Sequence, residues 1–344
     1  MNKKVLALLL AIAMLAALIG CGAKQNADGS QDGTSAAGNY PKGDINGTII
    51  YGAGGGTDLI SRAMGAALNK VLDVSVVMEN RTGGGGVVGT EFVKNEKSDG
   101  QNICFHSEAI TLFRAMDLTD TCIDDFKEIM IYGGSCGTLL VNKNSPYNTV
   151  EELIAAAKAA PGSINMGGTG ATGCPKIYAM MMEKISGIQF NMVNFDSDGD
   201  AMTALLGNQI DCFIPVNTSS LPYVESGDLK CLMVFHNEPV VGFEEVQLAT
   251  ELDSGYDNYL PYGPFFGAAV KADTDQAIID YLIEKFSAAY ESDSFQEYLS
   301  SSGVLPICYT GADADEYMND SEKHIWDMLY EAGISTIDPA GVIG

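Results

Sequence analysis

The sequence predicts an α/β protein of two lobes with a ligand cleft between them. Three observations carry this. Short apolar runs alternate with helical patterns, which argues for βαβ units on largely parallel strands. Two such units occur, and each places a glycine turn between its first strand and the following helix. After Tyr262 the pattern turns mainly helical, as expected of helices that return to the first lobe.

The first unit opens with a strand over Thr48 to Tyr51, then the glycine turn Gly52 to Gly56. Asp58 to Leu72 is a helix, because Leu59, Ile60, Ala63, Met64, Ala67, Leu68 and Val71 recur on one face. A strand over Val74 to Met78 follows. The glycine run Gly83 to Gly86 leads to a short helix ending at Phe92, and Asn102 to Phe105 is a third strand. The second unit repeats the pattern. Thr138 to Val141 is a strand, and Thr149-Val150-Glu151-Glu152 is a capping box whose helix ends at Pro161-Gly162. Ile164 to Met166 is a strand, Gly167 to Gly173 a glycine turn and Cys174 to Ile185 a helix. Strands over Phe190 to Asn194, Ile210 to Pro215 and Leu229 to Phe235 complete the unit, with a helix over Asp200 to Leu206. Two or three late helices are predicted, over Asp275 to Ala289, Ser294 to Ser301 and Asp313 to Tyr330. The chain is expected to cross between lobes near Val141-Asn142 and Tyr262-Gly263. Lobe 1 is then 46–141 plus 263–344, and lobe 2 is 142–262.

The N-terminus has the form of an export signal. Lys3 and Lys4 precede an uncharged apolar run, Val5 to Ile19, too short to span a membrane. Residues 1–20 are therefore expected to be a signal peptide. The tetrad Leu18-Ile19-Gly20-Cys21 resembles a bacterial lipobox, which makes Cys21 the expected lipidation site. Residues 21–45 are mostly small and polar, and such a segment buries too little surface to order itself. It is expected to tether the folded part to the outer face of the cell membrane.

Nineteen basic against forty-five acidic residues give a net charge of −26, which excludes a nucleic-acid partner. None of the eight cysteines forms a CxxC pair, so no zinc site or dithiol motif is indicated. Several lie in apolar strand-like runs and are expected to be free buried thiols.

The glycine turns carry the chemistry. Tyr51-Gly52-Ala53-Gly54-Gly55-Gly56-Thr57-Asp58 and Gly168-Thr169-Gly170-Ala171-Thr172-Gly173 each open a helix. The first N–H groups of a helix lack partners and carry about half a positive charge. They can hold an anion without Lys or Arg. Hydrogen bonds to a charged group are worth roughly 1.5–3 kcal/mol each. Three or four supply much of the roughly 8 kcal/mol of micromolar binding. The second turn also fits GxGxxG, with Asp196 where a dinucleotide site keeps its ribose-binding acid. Gly84-Gly85-Gly86-Val87-Val88-Gly89 fits the same pattern, which shows how little the pattern discriminates. Among the histidines, His106 ends a strand beside Ser107 and is the one expected to face the cleft. No GxSxG elbow, EF-hand or nucleophile–base pair is legible, so no catalytic residue, metal or cofactor is assigned.

At these turns the sequence resembles the extracytoplasmic solute-binding proteins of tripartite tricarboxylate transporters (Bug/Tct-type receptors). Gly54-Gly55-Gly56-Thr57-Asp58 is similar to the family's PGGxxD-type loop, and Val76 to Gly86 to its V-x-ENRxGAGG segment. Val150 to Leu153 with Pro161-Gly162, Thr203 to Asp211, and Tyr262 to Phe266 match further segments in order. The resemblance implies a periplasmic-binding-protein fold (type II-like) that closes on a small carboxylate. Carried over, the ligand site is Gly54, Gly55, Gly56, Thr57 and Asp58 from one turn and Gly170, Ala171, Thr172 and Gly173 from the other. Phe195, Asp196, Ser197 and Asn217 fall at the cleft edge. Glu79-Asn80-Arg81 is expected to tie the strand end to the turn. Gly52 and Ala53 stand where the family has prolines, Lys176 where it often has His, and Asp196 where it commonly has Lys. An acid at the cleft edge disfavours a polyanion and allows an amino acid. The implied partners are a large and a small permease subunit. A ligand-sensing module and a dinucleotide enzyme are the alternatives.

Overall fold

The computed structural model describes residue 38 and residues 40–169, 173–260, 262–331 and 333–342. The signal segment, Cys21, most of the tether, and Gly170, Ala171 and Thr172 lie outside the described residues.

The chain builds two β-sheets. The first begins with β1 (Ile45–Ile49), α1 (Gly56–Val71), β2 (Val76–Asn80), α2 (Val87–Asn95) and β3 (Asn102–Ser107). A short α3 (Ala109–Leu112) leads to β4 (Phe126–Gly134). The second sheet is built from β5 (Gly137–Asn142), α4 (Val150–Ala159), β6 (Asn165–Thr169), α5 (Cys174–Ser186), β7 (Asn191–Phe195), α6 (Asp198–Leu206), β8 (Cys212–Phe213), α7 (Asn217–Glu225) and β9 (Leu229–Phe235). After α8 (Ala249–Leu252) the chain returns through β10 (Phe265–Lys271), α9 (Gln276–Tyr290), α10 (Asp293–Ser301), β11 (Tyr309–Thr310) and α11 (Gly311–Glu331).

The strand orders are β11-β4-β10-β3-β1-β2 and β7-β6-β8-β5-β9. The sheets are mixed, not largely parallel. β1 runs parallel to β2 and β3, and β6 parallel to β7 and β8. β10 lies antiparallel between β3 and β4, and β5 antiparallel between β8 and β9. β4, β10 and the two-residue β11 are strands that sequence reading leaves unassigned. In Phe126–Gly134 the apolar run Ile129 to Tyr132 is flanked by Lys127, Glu128 and two glycines, and Phe265–Lys271 has Gly267, Ala268 and Ala269 at its middle, so neither shows the period-2 alternation of a half-buried strand. Sequence also places a crossing near Val141-Asn142. β5 pairs in the second sheet, so the passage between sheets falls at Ser135-Cys136.

Each element buries the face its period dictates. In α1 the buried Ile60, Met64, Ala67 and Leu68 follow helical spacing. In β3 the side chains alternate: Ile103 and Phe105 join one core with Met64 and Phe286, while Cys104 joins another with Phe113 and Ile131. The first sheet is thus packed on both faces. The second has its largest core around Leu139, Met166, Ile177, Tyr178 and Phe235. The late helices do not all return to the first sheet. Ala314 and Met318 of α11 pack there, but Ile325, Trp326, Met328 and Leu329 join the second sheet's core. The predicted capping box forms with a variation. Thr149 Oγ1 accepts from Glu152 N–H, and the Glu152 carboxylate accepts from Asn148 N–H instead of Thr149's. The seven described cysteines are all free.

Candidate functional site

The first turn is held by its own acid. Asp58 sits at the third position of α1 and is buried. Its Oδ2 accepts from Gly54 N–H at 3.0 Å. Its Oδ1 accepts from Arg62 Nε and Asn80 Nδ2, both at 2.8 Å. Asn80 Nδ2 also donates to the Tyr51 carbonyl at 2.8 Å. The carboxylate is therefore used up in shaping the turn and tying it to the end of β2, and Asp58 does not line the cleft. With Asp58 so engaged, α1 begins at Gly56 with no side-chain cap, leaving its first N–H groups open.

The second turn ends at Gly173, which precedes α5 and likewise gives it no side-chain cap. A Cβ at Gly173 would stand 1.8 Å from the Thr169 carbonyl oxygen, so only glycine fits there. A third segment comes from the end of β7. Ser197 caps α6, its Oγ accepting from Asp200 N–H at 3.1 Å. Asp198 follows, with its Oδ1 accepting from Thr169 Oγ1 at 2.9 Å.

These segments line one cleft of about 450 Å³, open mouth included. Tyr51, Gly52, Gly55, Gly56 and Thr57 come from the first turn, Ser107 and Glu108 from the end of β3, and Pro264 and Phe266 from the start of β10. The opposite wall is Thr169, Gly173, Cys174 and Pro175, with Ser197, Asp198 and Val216. The cleft lies beyond the carboxyl ends of strands in both sheets, where α/β folds place ligands. Among the described lining residues there is no Lys, Arg or His.

Of the residues singled out from sequence, Gly55, Gly56, Thr57, Ser107, Gly173 and Ser197 line this cleft. Phe195 and Asp196 line a neighbouring depression with the glycine run Gly83 to Gly86, and Tyr51 and Thr169 are walls of both. Gly54 turns the backbone at φ +82°, with Gly199 Cα 3.6 Å from where its Cβ would stand. His106 does not face the cleft. It is fully buried, with Nε2 3.0 Å from Glu128 Oε2 and Nδ1 3.0 Å from the Ser107 carbonyl oxygen. Alternation along β3 sends it to the opposite side from Ser107. Asn217 is also interior. Its Oδ1 accepts from Ser135 Oγ and from Cys136 N–H (3.2 Å), and its Nδ2 donates to the Gly303 carbonyl at 2.6 Å. Asn217 thereby pins the passage between the sheets.

Two lining acids escaped the sequence reading. Glu108 is 1% exposed, and its Oε1 lies 2.7 Å from Cys174 Sγ. Cys174 Sγ is also 3.8 Å from the Tyr262 hydroxyl. Burial, and then Glu108 itself, push the Cys174 thiol far up, so it stays protonated and donates to Glu108. Burial pushes the Glu108 carboxyl up to about 7 and the part-buried Asp198 up to about 6. A signal for Asp198 was there to be used: Ser197 followed three residues on by Asp200 is a capping pattern that starts the helix at Asp198 and not at Asp200. For Glu108 the apolar run Ala109 to Phe113 marks the segment as buried, but nothing local says that the acid at its start faces a cleft.

The raised Glu108 value has a measurable consequence. A carboxyl whose folded pKa exceeds its unfolded one binds more protons when folded, so stability rises as pH falls through about 7 toward the ordinary carboxylate range. Glu108→Gln should remove that slope. It should raise stability at pH 8 by on the order of 3 kcal/mol and leave it nearly unchanged at pH 4.5. Urea midpoints at the two pH values read this directly, and an equal loss at both would refute it.

Fold and site define a two-sheet α/β solute-binding protein of the periplasmic type. The chain belongs to the family described as tripartite tricarboxylate transporter family receptor, whose model matches residues 60–334. It is 27% identical to a UPF0065 protein of Cupriavidus necator over 300 residues, covering 86% of this chain and 89% of that one. It is 24% identical to protein BugT of Bordetella pertussis, covering 86% and 90%. Among solved structures it is similar to periplasmic binding protein BugD (TM-score 0.78, 21% identity, covering 86% and 99%). It is also similar to MatC from Rhodopseudomonas palustris with bound malate (TM-score 0.78, 18% identity, covering 84% and 100%).

Proposed function

We propose that this protein is an extracytoplasmic solute receptor that captures a small organic acid or amino acid between its two sheets. It then delivers the ligand to the large and small membrane subunits of a tripartite tricarboxylate-type transporter. Lipidation of Cys21 would keep it beside that partner; no described helix is long and apolar enough to cross a membrane. The observation that carries this reading is the pair of uncapped helix N-termini, those of α1 and α5, meeting at one cleft. Backbone amides there offer an anion site with no basic side chain. The malate held by MatC supports a carboxylate-sized ligand.

The test is thermal melting of the purified protein with mono-, di- and tricarboxylates, aromatic acids and amino acids. A ligand at a hundred times its dissociation constant adds about 2.7 kcal/mol, which visibly shifts the midpoint. A shift with members of one class is the expected outcome. Silence across the whole panel would count against capture of a small acid.

A further inference from the structure

Two carboxyls in the cleft wall are wired as acceptors, and Glu108 is left incomplete. Glu108 Oε1 already takes the Cys174 thiol, and Asp198 Oδ1 already takes the Thr169 hydroxyl. Glu108 Oε2 is buried in the same wall and takes no hydrogen bond from any described residue. A buried carboxyl oxygen without a donor is costly unless something supplies one. No Lys, Arg or His among the described lining residues does so. A ligand entering the cleft can supply the missing donor. An ammonium carries three donors and a compensating charge, whereas a second ligand carboxylate would bring only acceptors against two acids.

We propose that Glu108 and Asp198 form an ammonium subsite, so that the solute is a zwitterion whose amine lies between them and whose carboxylate lies at the helix N-termini. This rests on the solute-receptor reading and narrows it from organic acids in general to amino acids. It also replaces Asp196, which lines the neighbouring depression, as the acid that selects the ligand.

The pH dependence of binding has a definite sign. The subsite needs ionised acids, and burial holds both above the ordinary range. The titratable groups facing Glu108 are Cys174 and Tyr178 of α5, Tyr262, His106 of β3 and Tyr317 of α11; Cys174 also feels Asp198. Amine ligands should therefore bind more tightly as pH rises from 5.5 to 8. A dicarboxylate bound through a protonated Glu108 would do the opposite.

The experiment is calorimetry with matched pairs: aspartate against succinate, glutamate against glutarate, β-alanine against propionate, and γ-aminobutyrate against butyrate. At least one amino member should bind tenfold or more tightly than its partner, with affinity rising toward pH 8. Glu108→Gln and Asp198→Asn should each weaken that amino ligand by tenfold or more and narrow the gap within the pair. A folding defect is separable, because Glu108→Gln is expected to melt higher at pH 8 than the parent. Binding of the nitrogen-free acids alone, or tightening toward low pH, would overturn the ammonium subsite and leave the receptor reading standing. Silence from both halves of the panel would reject the receptor reading and this inference with it.

Discussion

Gly52→Ala is expected to abolish tight ligand capture while changing stability by less than about 1 kcal/mol. Gly52 follows β1 on the first-sheet side of the cleft, and Ser197 caps α6 on the other. A Cβ at position 52 would stand 2.4 Å from Ser197 Cβ and 3.4 Å from Ser197 Cα. Two carbons cannot approach so closely, and Ser197 Cβ is not the flexible end of a long side chain. The walls must move apart by about 1 Å or more to reach ordinary contact. Neighbouring positions behave alike: a Cβ on Gly56 would meet Val216 at 2.4 Å, and one on Gly199 would meet the Ala53 carbonyl oxygen at 2.8 Å. Holding the walls apart breaks simultaneous contact with both helix N-termini. Losing two hydrogen bonds to a charged ligand, at roughly 1.5–3 kcal/mol each, weakens binding by about a hundredfold or more. The apo fold should be spared, because opening the cleft leaves both cores packed. Gly43→Ala is the control, since nothing lies within 4 Å of its added Cβ. Unchanged affinity in Gly52→Ala would show that capture does not require these walls to touch.

Asn217→Ala should act in the reverse way, destabilising the protein by about 3 kcal/mol. The amide is wholly buried and engages Ser135, Cys136 and Gly303 together. Each bond is worth about 1 kcal/mol net, and truncation leaves the buried Cys136 N–H and Gly303 carbonyl unpaired, which costs more. Asn217→Asp tests the wiring without changing shape. It places an oxygen against the Gly303 carbonyl, so it should destabilise at pH 8 and recover as the carboxyl is protonated. The two substitutions read as denaturant midpoints. Equal stability of all three proteins would mean that the passage between the sheets is held by backbone alone.

Most of the architecture was legible because it rests on local pattern. The 3.6-residue period of Ile60, Met64, Ala67 and Leu68 predicts α1, and the glycines after β1 and β6 mark the turns. Elements whose surroundings are entirely protein were not legible. β4 and β10 sit inside the first sheet, where neighbouring strands satisfy their backbone and accept Gly, Ala, Lys and Glu beside the apolar residues, without a period-2 alternation. α7 has the sequence Asn-Thr-Ser-Ser-Leu-Pro-Tyr-Val-Glu, which reads as a loop, yet its first five residues are buried and bonded in the interior.

The candidate site divides along the same line. Glycine-rich turns at helix starts are a local property of the chain, and sequence alone named Gly55, Gly56, Thr57 and Gly173, which the fold brings to one cleft. It also pointed to the family through the order of its segments. Which acids line the cleft was decided only by the tertiary structure. Sequence assigned ligand contact to Asp58, His106 and Asn217, but folding spends these on the turn, on Glu128 and on the passage between the sheets. It brings forward Glu108 and Asp198 instead. The reason is physical. A side chain's chemistry is set by which partners and how much water surround it, and those come from residues such as Thr169, Cys174 and Tyr262, tens of positions or more away in sequence from the acids they constrain.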